Sequence, residues 1–155
     1  VEIDRKRGLC PSCYHKPLLS AGRAWVFETS PATHFLRGQR RFDWIGPYLV
    51  WQIGQLGWDL PDRVIPLPDP AERTIWPLID WVAKKWKVKA EKGFAIERKG
   101  IYNWRLNKKK DLSFEEETLL VVDWGSSLAW IESGLAALAE GDPAMIRVIS
   151  LWRPQ

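Results

Sequence analysis

An acid at the end of an apolar run, followed at once by two hydroxyls, is the pattern in this sequence with the clearest chemistry. In "TLLVVDWGSSLAWIESGLAALAEG" the apolar stretch ends on Asp123, and Ser126 and Ser127 follow before an amphipathic segment begins. A helix start presents unpaired N–H groups and partial positive charge, worth about 0.3–1 kcal/mol to an anion at an exposed site. Two serine hydroxyls there add donors, and a carboxylate beside them accepts sugar hydroxyls or holds a metal-bound water. Together these groups suit a phosphorylated sugar. The plainer alternative is that Ser126 caps a helix and Asp123 is an exposed loop acid.

Such a constellation needs a strand to deliver the acid and a helix to offer its first turn. "TLLVVD" is short, apolar and β-branched, the best strand in the chain. "SSLAWIESGLAALAEG" is the best helix, with Ser126 or Ser127 as N-cap and Gly141 near its end. Upstream, "AGRAWVFE" alternates weakly as a strand, and Arg63–Leu67 forms another before proline punctuation. "HFLRGQRRFDWIGPYLVWQIGQLG" has helical periodicity, with Trp44, Trp51 and Trp58 on one face if the helix persists. Gly46, Pro47 and Gly54 weaken that pattern, and Pro47 fits best near a first turn. In "AERTIWPLIDWVAKKWKV", Pro77 either kinks a helix or marks its start. The charged middle holds a strand or two around "IYNWRL", and "AMIRVISLW" closes the chain as a strand. Strands alternating with helices argue an α/β fold with a parallel sheet flanked by helices.

The 155 residues and 46% hydrophobic content suffice for one core, and a net charge of +4 permits an anionic partner without requiring one. No apolar run reaches the roughly 18–20 residues that cross a bilayer, and no secretory pattern opens the chain, so the expected location is cytoplasmic. The chain begins on Val1 rather than Met, as a fragment or processed product would. Its 11 tryptophans are the oddity of its composition.

The acid-and-serine segment resembles the phosphoribosyl-pyrophosphate motif of type I phosphoribosyltransferases: a hydrophobic strand, two acids, two variable residues, then Thr-Thr-Gly-x-Thr. Aligned without a gap, Val122 and Asp123 fall on the acids, Ser126 and Ser127 on the paired threonines, Leu128 on the glycine and Trp130 on the last threonine. The order around it is similar to the ComF family of competence-associated, phosphoribosyltransferase-like proteins. "LCPSCYHKPLL" resembles that family's cysteine knuckle, and "VIPLP" its Val-Pro-Val-Pro strand. "HFLRGQRRFDWIGPYLVWQIGQLG" matches its basic segment and helix, and "ISLWRP" its last core strand. The resemblance implies an N-terminal cysteine-bearing piece over residues 1–20 and a type I phosphoribosyltransferase-like domain over 21–155. It also implies phosphoribosyl pyrophosphate or a nucleotide as ligand, with Mg²⁺ if the protein is active. Asp123 would then be the catalytic carboxylate that holds the ribose hydroxyls. Ser126 and Ser127 would hold the 5′-phosphate, with Arg73 the survivor of the family's Arg-Gly-Phe-Asn-Gln run.

The departures point away from efficient transfer. Leu128 puts a side chain where backbone must approach a phosphate, Trp130 replaces a hydroxyl with an indole, and Val122 removes one carboxylate. Phosphoribosyl transfer draws much of its rate from joint placement of pyrophosphate, metal and ribose, so incomplete placement is costly. Two functions from different classes follow: a phosphoribosyl- or phosphate-binding protein with eroded transferase activity, and a non-catalytic accessory protein of DNA uptake acting through nucleic acid or protein partners.

Cys10 and Cys13, in "CPSC", are half of a tetrahedral Zn²⁺ site. His15 and His34 are the remaining nitrogen donors, His15 being awkwardly close to Cys13. The resemblance implies a second cysteine pair upstream; two inert thiols or a redox pair are the alternatives. Basic residues gather as Arg37, Arg40 and Arg41, as Lys84, Lys85, Lys87 and Lys89, and as Lys108–Lys110. Lysines beside Trp81 and Trp86 suit single-stranded DNA, in which bases stack and phosphates pair. Solvated helix ends are the plainer account.

Overall fold

The apolar, β-branched segments of this chain collect side by side. In the computed structural model, residues 24–27, 42–70, 74–98 and 104–152 are described, with side chains from Ile45 onward. The elements are β1 (Ala24–Phe27), α1 (Phe42–Gln55), β2 (Arg63–Pro66), α2 (Trp76–Trp86), β3 (Lys89–Ala90), β4 (Phe94–Arg98), β5 (Trp104–Lys108), β6 (Thr118–Asp123), α3 (Leu128–Ala139) and β7 (Met145–Trp152). Five strands form a sheet in the order β1-β7-β6-β2-β3, and every pairing in it is parallel. β4 and β5 make a separate antiparallel pair. The α/β class with a parallel sheet and flanking helices is therefore present. Cys10, Cys13, His15, His34, Arg37, Arg40, Arg41 and Arg73 lie outside the described residues.

β6 is buried from Leu119 to Asp123, as a central parallel strand covered on both faces must be. The period-two alternation of a strand sends its residues into two cores. Leu120 and Val122 join Val64, Ile149 and Leu151 beneath α1 and α2, which supply Ile45, Leu49, Leu78, Ile79 and Val82. Leu119 and Val121 join Ile65, Ile146 and Val148 beneath α3, which supplies Ile131, Leu135 and Leu138, and beneath Phe94 and Leu106 of the hairpin. Three layers result, with the sheet in the middle.

Two features of the helices differ from expectation. Pro47 sits inside α1 rather than in its first turn. It is exposed, so its ring meets solvent and only one intrahelical hydrogen bond is forfeited. The helix also stops at Gln55 before a turn with Gly57 at φ +67, so Trp58 lies beyond the helix that carries Trp51. Trp58 instead packs under the Arg147 guanidinium, 5.4 Å from its ring centroid, while Trp51 is 55% exposed and stacks on Tyr48. Pro77 marks the start of α2. The far end of α2 closes with Lys87 in the left-handed region and Val88 N–H donating to the Ala83 carbonyl at 3.0 Å.

Candidate functional site

In an open parallel sheet, loops leaving the C-terminal ends of the strands enter helix starts, and ligands collect there. Two such loops meet in this protein, one after β6 and one after β2.

The β6 loop begins with Asp123, which is completely enclosed. Its register partner on β7 is Ser150, whose hydroxyl donates to Oδ2 at 2.6 Å. The backbone N–H of Ser126 donates to both carboxylate oxygens, at 3.2 and 3.0 Å. The acid thus faces the serine turn, as the sequence suggested, but it braces that turn from within. It is not an exposed loop acid, and it is not among the residues that line the cavity described below. Gly125, at φ +156, lets the turn lie on β7: a Cβ there would come within 3.1 Å of the Trp152 carbonyl oxygen and Cβ. Trp124 and Trp152, both buried, pack against each other with ring centroids 6.3 Å apart.

Ser127, not Ser126, is the N-cap of α3. It is exposed, its Oγ accepts from Trp130 N–H at 3.3 Å, and no acidic side chain occupies the first turn. Ser126 is buried beside Asp123. Leu128, where the phosphoribosyl-pyrophosphate motif carries glycine, is 60% exposed. Trp130, where that motif carries threonine, turns its indole N–H to the Pro68 carbonyl at 2.7 Å. That bond fastens the start of α3 to the loop after β2.

The β2 loop walls a cavity of about 530 Å³, within the size range of small-molecule sites. Pro66 to Asp69 form one side and Thr74, Ile75 and Trp76 at the start of α2 a second. Lys92 and Gly93 lead into the hairpin, which contributes Phe94, Ile96, Arg98 and Trp104. Asp123, Ser126 and Ser127 are not among its walls. The cations are paired with rings: Lys92 Nζ lies 4.8 Å from the Trp76 ring centroid and Arg98 Cζ 4.6 Å from that of Trp104. Among the described lining residues the acid is Asp69, which is buried. Sequence reasoning missed these residues. A lysine close to tryptophan was a signal, but it drew attention to the end of α2, where Trp81 and Trp86 pack against the core.

In the two lysine clusters, Lys84 and Lys108 make local contacts. Lys84 pairs with Asp80 at 2.7 Å one turn earlier, in the last turn of α2. Lys108 Nζ donates to the Lys109 carbonyl at 3.0 Å. Lys85, Lys87 and Lys89 are exposed beside them. Among the described residues no three His, Cys, Asp or Glu side chains gather as a metal site. The enclosed Asp123, with both oxygens engaged, fits bracing of the turn better than direct ligation of Mg²⁺.

No protein-family model, no curated protein and no solved structure matches the chain. Among the described residues no helix is long and apolar enough to cross a membrane.

Proposed function

We propose that this is a ComF-like protein of the phosphoribosyltransferase-like class that binds a phosphoribosyl or phosphate ligand at the C-terminal edge of its sheet, with transferase activity weak or lost. One observation carries the reading. The capped, acid-free start of α3 is tied by Trp130 to the loop that walls the cavity, and Lys92 and Arg98 also line that cavity. A phosphate at the α3 turn would have backbone N–H groups, a serine hydroxyl and a helix dipole on one side. The rest of the ligand would extend into the cavity. Asp123 supports this reading by holding the turn in shape. Its enclosure also argues for weak catalysis, since a carboxylate that braces its own loop is not placed against a ribose.

The test is a melting-temperature titration with phosphoribosyl pyrophosphate and ribose 5-phosphate, each with and without Mg²⁺. A ligand that binds only the native state must raise the midpoint. Ser127→Asp is the informative variant, because aspartate caps a helix as well as serine does while placing a negative charge where phosphate would sit. The expected result is a rise of several degrees in the native protein and none in Ser127→Asp, at unchanged intrinsic stability.

The exposed run Lys84, Lys85, Lys87 and Lys89, of which Lys84 also pairs with Asp80 and Lys89 with Glu91, supports a second reading, contact with single-stranded DNA in a non-catalytic role in uptake. No shift at millimolar sugar phosphate, together with DNA retardation on a gel that salt reverses, would favour it over the first.

A further inference from the structure

We propose that the outward face of α1 binds a neutral sugar chain, with the Trp51 indole as the surface on which a sugar ring stacks. The site is separate from the serine turn and from the cavity, whose walls include none of its residues. α1 turns Ile45, Leu49 and Ile53 into the core. Tyr48, Trp51, Gln52 and Gln55 follow one another at the spacing of helix-surface neighbours and share a different stripe. The indole is 55% exposed, and Tyr48 stacks on it with ring centroids 5.7 Å apart and planes 29° from parallel. Gln52 Nε2 in turn donates to the Tyr48 hydroxyl at 2.9 Å, so an amide fixes the ring that supports the indole.

The residues around Trp51 on the helix leave it bare. Pro47 and Tyr48 lie one turn before it, and Gly54 and Gln55 one turn after. None of these is a long charged side chain, whose stem would ordinarily lie over exposed apolar surface. Gly54 has nothing within 4 Å of where a Cβ would stand, so a ligand can reach the indole past it. No Asp, Glu, Lys or Arg occurs from Trp44 to Trp58. These features select the ligand. A sugar ring has an apolar face of C–H bonds, which packs on an indole, and a rim of hydroxyls that both donate and accept. The amides of Gln52 and Gln55 also donate and accept. A nucleic acid or an acidic glycan would bring charges that this stretch of helix does not answer.

The experiment is calorimetric titration of the full chain with three neutral chains, cellohexaose, maltohexaose and chitohexaose, and two charged ones, tetragalacturonate and oligo-dT. At least one neutral hexasaccharide should bind with a Kd below about 1 mM, and about tenfold or more ahead of both charged probes. Trp51→Ala removes the stacking surface at an exposed position and should weaken that binding about tenfold or more. Gly54→Arg keeps both rings but lays a long cationic side chain beside the indole, and it should weaken the same binding. The second variant keeps the test decisive if the first does not fold.

Failure of every neutral hexasaccharide at millimolar concentration overturns the inference. So does binding that is indifferent to Trp51→Ala or, should that variant not fold, to Gly54→Arg. Equal or tighter binding of a charged probe overturns it as well; if that probe is oligo-dT and Trp51→Ala abolishes its binding, the face is a base-stacking platform. Concentration-dependent dimerisation that Trp51→Ala abolishes, with no sugar bound, makes the face a contact between copies and is equally fatal. None of these results bears on the serine turn, whose ligand is read by Ser127→Asp.

Discussion

Ser150 on β7 donates a 2.6 Å hydrogen bond to Asp123 on β6, joining the C-terminal ends of two neighbouring parallel strands inside the protein. Both groups are fully buried, so the carboxylate depends on protein donors in place of water. Ser150→Ala removes one of them. Hydrogen bonds to charged groups contribute about 1.5–3 kcal/mol, and urea unfolding of Ser150→Ala should show a loss of about 2 kcal/mol. The same change at exposed Ser113 should cost less than about 0.5 kcal/mol.

How that acid behaves was only half legible in the sequence. The run Thr118–Asp123 announces a buried strand, and Ser126 and Ser127 announce a helix start, because β-branched runs and caps act locally. Whether a strand-end acid points to a ligand or into the core depends on the residue opposite. Only the register reveals Ser150 there. The cavity was illegible for a similar reason. β4 reads as one buried residue and four exposed ones, with no alternation to flag it, and its place comes from backbone pairing with β5. The Trp44, Trp51 and Trp58 spacing misled because helical periodicity carries past a glycine turn on paper, whereas the helix itself ends at Gln55.

Two glycines in α1 should respond to alanine in opposite directions. A Cβ on Gly46 would lie 2.5–2.9 Å from three ring atoms of Trp81, and an indole cannot bend away. Gly46→Ala should therefore force α1 and α2 apart at a cost of about 1–3 kcal/mol. Gly54 has nothing within 4 Å, so Gly54→Ala should stabilise by about 0.5 kcal/mol through helix propensity alone. Thermal melts of the two variants read the difference directly.

At the opposite end of the sheet, Arg63 grips Glu117 through two contacts, Nε to Oε2 at 2.6 Å and NH2 to Oε1 at 2.9 Å, and reaches Glu91 at 3.5 Å. Its guanidinium also lies over the Phe114 ring at 5.2 Å. Arg63→Met keeps the stem and removes the fork. Glu117 retains partial solvent contact, so the loss should be about 1–2 kcal/mol rather than that of a fully buried pair, measured by denaturant midpoint.

Trp130→Phe tests the fastening between α3 and the β2 loop. It deletes the indole donor to the Pro68 carbonyl and keeps an aromatic ring in place. Stability should fall by about 1 kcal/mol, and any ligand bound in the cavity should dissociate faster, because one wall has lost its anchor. A stopped-flow displacement assay measures that rate.

The brevity of β3 has a consequence for how the molecule behaves in a crowd. With two residues, exposed Lys89 among them, it caps that flank of the sheet with too little unpaired backbone to template an incoming chain. The long apolar strands β6 and β7, which would be the sticky ones, each have neighbours on both sides. Pairing of an incoming chain along that flank is disfavoured as long as the fold is intact.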